Sequence, residues 1–463
     1  MTPLHEPIQW LRHPDAERFV MDRLDQFVTD MPPVTDLQTR LLAQTNTLLL
    51  DWLDHLVLAD GDGPRGQLAD LGFEPEDAPA EPGDTIYYHP GAIFPRLVLR
   101  AGTGATPGTA VAAAIAVEEV SAFLMAHHVA TPIEGTPFSP YRRARVWQGN
   151  DRQFLVVERR GHRGFVPLHM ASPYPLRYRR AFEGWAARPR EFDDVCGGLE
   201  RTLALSRSLV SDLGADTAAW IAFAAERDHW QQRNRAGWVQ KGRQDSLGLG
   251  WANHDHHAFR SSRETFSLLI QILETFGFQP RERFYAGAEA GWGAQVMEQP
   301  ACRLVVFADV DLAPDEVEGD FAHDPLEPQR ELGTVGLWCA LHGDSMLAAG
   351  LHHLACRLDF PAATAALAKL GVETMRPFSD FSYLRQAFTR GERWAVSPQR
   401  LARLVASGQI DERQQERFAT GGAVGSHLEN IQRSEGFKGF NQQTVSDIIR
   451  RTDPRSAPER RKR

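Results

Sequence analysis

The sequence predicts a mixed α+β protein whose C-terminal half holds two β-α-β-β modules side by side, forming a curved sheet around a cleft, with helices added. Two observations carry this expectation. The first is a faint internal repeat: "HDHHAFRSSRETFSLLIQILETFGF" (254–278) and "GLHHLACRLDFPAATAALAKLGV" (350–372) each read as a short strand, an amphipathic helix and a stopping glycine. The second is a pair of segments downstream of each copy. "AQVMEQ" and "CRLVVFADV" come after the first, "YLRQAFTR" and "ERWAVS" after the second, all with the short apolar look of strands. At 463 residues the chain is too long for one compact core, so two or three domains are expected.

Taken in order, residues 1–100 read as a helical region. Residues 15–58 give two amphipathic helices separated by Pro32 and Pro33, then "DGDGPRG" (60–66) breaks the second. Residues 101–245 read as mixed α/β. "AVAAAIAV" gives a strand, "VEEVSAFLMAHH" a helix, "RRARVWQG" and "RQFLVVERRG" two strands, and segments 191–213 and 216–232 two helices. This run has the plan of a degenerate module that has lost its functional side chains. "RAGWVQKGRQDSLGLG" (235–250), rich in Gly and polar residues, reads as the junction to a domain spanning 246–445. The acidic stretch 309–331 reads as a loop between the two modules, and residues 446–463 as a basic C-terminal tail.

Bulk properties exclude several function classes. A formal charge of −9 gives no electrostatic reason to bind nucleic acid or an anionic membrane. No apolar run is long enough to span a bilayer, and the first residues lack the basic-then-apolar pattern of a secretory signal. The four cysteines, Cys196, Cys302, Cys339 and Cys356, are far apart and form no CxxC pair, which fits reduced thiols. Cytoplasm is the expected location.

The chemistry-bearing residues are two adjacent-histidine pairs at matching positions of the repeat. In a strand, residues two apart share a face. His256, Ala258 and Arg260 therefore point one way on the first strand, and His353, Ala355 and Arg357 one way on the second. A third segment, "GGAVGSHLENIQRSEGF" (421–437), puts Glu429, Ile431 and Arg433 on one face if it is a strand. One histidine per pair and one glutamate, 97 and 76 residues apart in sequence, offer two imidazoles and a carboxylate to a single ion. That donor set suits non-haem Fe(II), which must keep positions open for substrate and dioxygen. Each nearby arginine either binds an anionic substrate or pairs with a carboxylate.

In order, "DHHAFR", "HHLACR" and "HLENIQRS" resemble the metal segments of the 2-oxoadipate dioxygenase/decarboxylase (hydroxyglutarate synthase) family, part of the vicinal-oxygen-chelate superfamily built from βαβββ modules. The resemblance covers roughly residues 250–440. It implies that His256, His353 and Glu429 hold Fe(II), that Arg260 holds a substrate carboxylate, and that a 2-oxo acid and dioxygen are the small-molecule partners. It would make the reaction an oxidative decarboxylation of a 2-oxoadipate-like acid to a hydroxy acid. The family places its first histidine early, whereas here about 250 residues precede it.

Two rival readings come from the same sequence. "HGD" (342–344) matches the HxD motif of Fe(II)/2-oxoglutarate oxygenases, with His342, Asp344 and a distal His427 as ligands. The helical segments within 262–275 and 361–370 fit poorly with the all-β fold of that class. The other rival is a non-catalytic protein of the same fold that binds a small anion. The glycines before the third segment, Gly421, Gly422 and Gly425, with Ser426, are candidates to bring backbone N–H groups near a distal carboxylate.

Overall fold

The computed structural model describes residues 9–441 and 452–455, so most of the basic tail lies outside the described residues. The chain enters through α1 (Pro14–Thr29) and α2 (Pro32–Arg40), continues through a π-helical turn, and reaches the one-turn α3 (Leu49–Trp52). Here the expected second long helix fails. Asn46 takes a left-handed conformation, φ 55°, which ends the helical run, and "LDHLVLA" becomes strand β1 (Leu53–Ala59). Every residue of β1 is buried. A strand covered on both faces has a continuous apolar pattern, which composition alone does not separate from a buried helix.

β1 opens a module completed by α4 (Asp62–Asp70), β2 (Glu74–Glu76), β3 (Asp84–Tyr88) and β4 (Arg96–Arg100). A second module comes next: β5 (Ala110–Ala116), α5 (Val120–Ala126), β6 (Ile133–Glu134), β7 (Tyr141–Gly149) and β8 (Arg152–Arg159). The two share one eight-stranded sheet of order β2-β3-β4-β1-β5-β8-β7-β6. Residues 1–100 are therefore not simply helical. The N-terminal half carries two βαβββ modules rather than the single degenerate one expected from sequence.

Four helices, α6 (Tyr174–Ala186), α7 (Val195–Leu213), α8 (Ala215–Gln231) and α9 (Arg235–Asp245), connect the halves. The expected domain junction at 235–250 is mostly α9. Asn234 caps it by accepting from the Gly237 N–H at 2.7 Å. Gly237 fits because the Trp230 ring occupies the space a Cβ would need. Only the turn after α9 uses glycine conformationally: Gly248, at φ +69°, lies against the backbone of Ala122 and Phe123.

The C-terminal half repeats the plan. The third module is β9 (His254–Arg260), α10 (Phe266–Thr275), β10 (Gln279–Tyr285), β11 (Trp292–Gln299) and β12 (Leu304–Asp311). Helix α11 (Thr334–His342) leads to the fourth: β13 (His353–Arg357), α12 (Phe360–Lys369), β14 (Ser379–Phe381), β15 (Leu384–Phe388), then β16 (Glu392–Trp394), α13 (Pro398–Ala406) and α14 (Glu412–Gly421), and last β17 (Ala423–Arg433). The sheet runs β10-β11-β12-β9-β13-β17-β15-β14, with β16 pairing β17 at one side.

Strand register makes the two halves comparable residue by residue. In both sheets the first strands of paired modules run antiparallel, with Ala258 opposite His353 and Val57 opposite Ala112. The parallel pairs match as well: Phe307 lies opposite Ala258 as Val98 lies opposite Val57, and Glu429 lies opposite Ala355 as Leu155 lies opposite Ala114. The four inward positions are thus His256, Phe307, His353 and Glu429 in the C-terminal sheet, and His55, Val98, Ala112 and Leu155 in the N-terminal one.

Candidate metal centre

Three strands bring His256 (β9), His353 (β13) and Glu429 (β17) to one point. One donor atom from each lies within 4.8 Å of the others, and all three residues are buried. Glu429 Oε2 is 3.1 Å from His256 Nε2 and 3.2 Å from His353 Nε2, and the two imidazole nitrogens are 3.5 Å apart. Donors ~2.1 Å from a common ion in neighbouring octahedral positions stand ~3 Å apart. The triangle therefore has the size of one face of an octahedron. Two buried imidazoles and a carboxylate in this arrangement fit a divalent transition metal.

The side chains behind the triad fix its orientation. His256 Nδ1 is 2.9 Å from Asp255 Oδ1, which leaves Nε2 facing the triad. Arg433 grips Asp255 with two bonds, Nε at 2.8 Å and Nη2 at 3.0 Å. His353 Nδ1 faces His352 Nδ1 at 3.1 Å, and Gln386 donates to Glu429 Oε1 at 2.8 Å. These contacts set the electrostatics. Burial disfavours a charged His256, yet Glu429 and Asp255 together push its pKa up to about 9. Burial would raise Glu429, but His256 and His353 hold it down at about 2. Without metal, His256 carries the proton and Glu429 the negative charge.

The N-terminal sheet is an internal control. His55 Nδ1 is 2.7 Å from Asp54, and Arg159 binds Asp54 at 2.8 and 2.9 Å, the arrangement of His256, Asp255 and Arg433 over again. The other inward positions are Val98, Ala112 and Leu155, packed into an apolar cluster with Val57, Tyr141 and Phe165. His55, with no glutamate beside it, is held below its ordinary pKa by burial. The support is duplicated, and the donor set is not.

A cavity of about 60 Å³ opens on the triad. Its walls are largely aromatic, with Phe284, Trp292, Phe307, Phe378, Phe388 and Phe440 among them. Arg260 reaches into it from β9, fully buried and centred 5.5 Å from the Trp338 ring, with no hydrogen-bond partner for Nε, Nη1 or Nη2. A buried guanidinium without hydrogen bonds, its nearest carboxylate Asp309 at 3.8 Å, is costly unless an acceptor meets it more closely. A larger groove of about 610 Å³ among α5, α6, α8 and α9 holds none of these groups, so volume alone does not mark the site.

The other expected arginines lie elsewhere. Arg433 is the partner of Asp255 and is not a cavity residue. Arg357 also lies outside the cavity. The face of β13 below it is closed by Ala355, Leu384 and Ile431, and Arg357 instead acts electrostatically on Asp51 of the N-terminal half. The alternative ligand set does not assemble. His342 Nε2 meets the Val424 carbonyl, His427 Nδ1 meets the Thr389 carbonyl, and Asp344 accepts from Ser262 and Thr265. Gly425 and Ser426 are engaged by Trp338 and Asn234 rather than by the cavity. Sequence reasoning misses Asp255, His352, Gln386 and Asp309 as site residues. The shared "DH" in "LDHLVLA" and "HDHHAFR" is the available clue to the first.

No family model matches the chain, and no curated protein matches it in sequence. Among solved structures, a triple mutant of 4-hydroxymandelate synthase from Streptomyces coelicolor is similar over 87% of this chain and 98% of its own, at 14% identity and a TM-score of 0.28. A fusion of a xylose isomerase-like TIM barrel with 4-hydroxyphenylpyruvate dioxygenase matches 89% of this chain and 54% of its own, at 13% identity and 0.24. The Mn(II)-bound glyoxalase from Novosphingobium aromaticivorans matches 83% and 82%, at 10% identity and 0.20. With scores this low, the class is defined by the chain's own strand order. Four βαβββ modules paired into two sheets give a mixed α+β fold.

Proposed function

We propose that this chain is a non-haem Fe(II) dioxygenase that oxidatively decarboxylates a 2-oxo acid, with His256, His353 and Glu429 as the metal ligands. The observation that carries the proposal is the identity of the fourth inward position. A module enzyme doing isomerase or lyase work with four protein donors would need a ligand there. Phe307 stands in its place, its ring centroid 4.9 Å from that of His256. Three donors leave three octahedral positions open, enough for a chelating 2-oxo acid and dioxygen. When bound, Fe(II) would supply a Lewis acid and the electrons needed to activate oxygen.

The protein's own part is binding and exclusion. Arg260 would meet an anionic end of the substrate with charge-assisted bonds, filling the vacant donors of its buried guanidinium. The aromatic walls would hold the carbon chain and keep bulk water away. His256 must give up its proton before it can ligate, and Asp255 with Arg433 keeps its ring aimed while it does so. By the resemblance to the hydroxyglutarate synthase family, the substrate would be 2-oxoadipate-like. It would react as 2-oxoadipate + O2 → 2-hydroxyglutarate + CO2, with Arg260 on the carboxylate far from the keto group.

A non-catalytic anion-binding protein is the second reading, favoured by Arg260 alone. Oxygen uptake by iron-loaded protein, measured against a panel of 2-oxo acids, separates the two. Uptake with equimolar carbon dioxide is expected for at least one acid and should vanish in His353→Ala. Stoichiometric iron with no uptake for any acid would defeat the substrate class, and failure to hold any metal would favour the anion-binding protein.

A further inference from the structure

One buried carboxylate in the cavity takes no part in the triad. Asp309 stands on β12 directly opposite Arg260 on β9, lines the same cavity, and is 5% exposed. Among the described residues its carboxylate makes no hydrogen bond. Its nearest cation is Arg260 Nε at 3.8 Å, beyond hydrogen-bond range. An acid and a base thus face one small space, both buried, each leaving the other unsatisfied.

The groups around Asp309 are few. β9 presents Arg260 and His256, and β11 places Ala294 opposite it. From α11 come the Trp338 ring beneath Arg260 and the thiol of Cys339, which burial keeps protonated. On the same strand, Asp311 is occupied by the backbone N–H groups of Val335 and Gly336. Among the described residues Arg260 is the one guanidinium lining this cavity. If a ligand carboxylate takes it, two carboxylates share that guanidinium in a desolvated space, which favours a proton on one of them.

We propose that Asp309 is a ligand-binding group that works as a neutral acid: an anion arriving on Arg260 brings one proton from solvent onto Asp309, whose new O–H donates to the anion's free oxygen. The balance is ligand–COO⁻ + Asp309–COO⁻ + H⁺ giving one carboxylic acid hydrogen-bonded to one carboxylate, with no redox change. Asp309 is already poised for this. Burial raises its pKa to about 7, against the pull of Arg260 and His256. The pairing would also select for a carboxylate, which can accept from both groups at once. This inference rests on the anion-binding role proposed for Arg260.

The test has two arms. Difference infrared spectra of the full-length, iron-loaded, ligand-free protein under anaerobic conditions should show a protonated-carboxyl band that fades as pH rises and is missing in Asp309→Asn. Calorimetry of 2-oxoadipate binding in buffers of different ionisation heat should then show proton uptake. It should grow from near zero at low pH towards one proton at high pH, and be absent in Asp309→Asn. No such band in the wild type, or binding without uptake at pH 8.5, overturns the proposal and leaves the anion-binding reading of Arg260 standing. A band present with no binding of 2-oxoadipate or of acetate overturns that reading, and this inference with it. If Asp309→Asn does not fold, the wild-type titration and uptake curves still decide.

Discussion

Metal binding should be a proton exchange at His256, and its size can be worked from the structure. In the metal-free protein this imidazole has its pKa raised from 6.5 to about 9. That rise corresponds to about 3 kcal/mol favouring the charged ring, with Glu429 Oε2 at 3.1 Å and Asp255 Oδ1 at 2.9 Å supplying it against burial. A metal can use Nε2 only after the proton leaves. Affinity should therefore rise ~10-fold per pH unit up to about pH 9, or ~100-fold between pH 6.5 and 8.5. The sign reverses for the metal-free fold: a raised pKa stabilises below 6.5, and that contribution is lost as pH climbs through 9. Competition titrations with Co(II) at several pH values would give the slope, and buffer-dependent calorimetry the proton released, near one at pH 7. In Glu429→Gln the metal-free protein should lose this alkaline destabilisation. An affinity independent of pH over this window would refute the reasoning.

Other substitutions separate ligand, support and scaffold. Arg260→Met removes a buried guanidinium that makes no hydrogen bond, so KM for the 2-oxo acid should rise ~100-fold, with metal content unchanged by elemental analysis. Asp255→Asn should weaken metal affinity ~10–100-fold without removing any ligand, as read by the same Co(II) titration. Arg357→Gln should leave both metal content and turnover at wild-type values, since Arg357 lies outside the cavity and acts electrostatically on Asp51. Leu155→Ala in the metal-less sheet should cost ~2–4 kcal/mol in denaturant melts and leave iron stoichiometry intact.

Much of the C-terminal half is legible in the sequence because its signals are local and repeated. Strand parity alone separates His256 from His257 and His353 from His352, and the structure places His257 away from the cavity, where its Nε2 meets Arg227 at 3.4 Å. Parity fails for Arg357 because a face is not uniform along its length: two residues past His353 the cleft has given way to packed Leu384 and Ile431. The N-terminal modules are hard to read for the opposite reason. Ala112 and Leu155 carry no chemistry to flag them, and β1 is buried on both faces, so its period-two signal is absent. Asp309 is invisible in sequence. Its significance comes from standing beside Arg260 across a strand pair, a relation between residues 49 apart that no local pattern encodes.

The most direct test is X-ray absorption combined with elemental analysis on protein reconstituted anaerobically with Fe(II). The wild type should hold one iron per chain with a first shell of nitrogen and oxygen only, two scatterers being imidazole, and His353→Ala should lose it while keeping its fold. Iron retained in that variant, or a shell containing sulfur, would contradict a centre built from His256, His353 and Glu429.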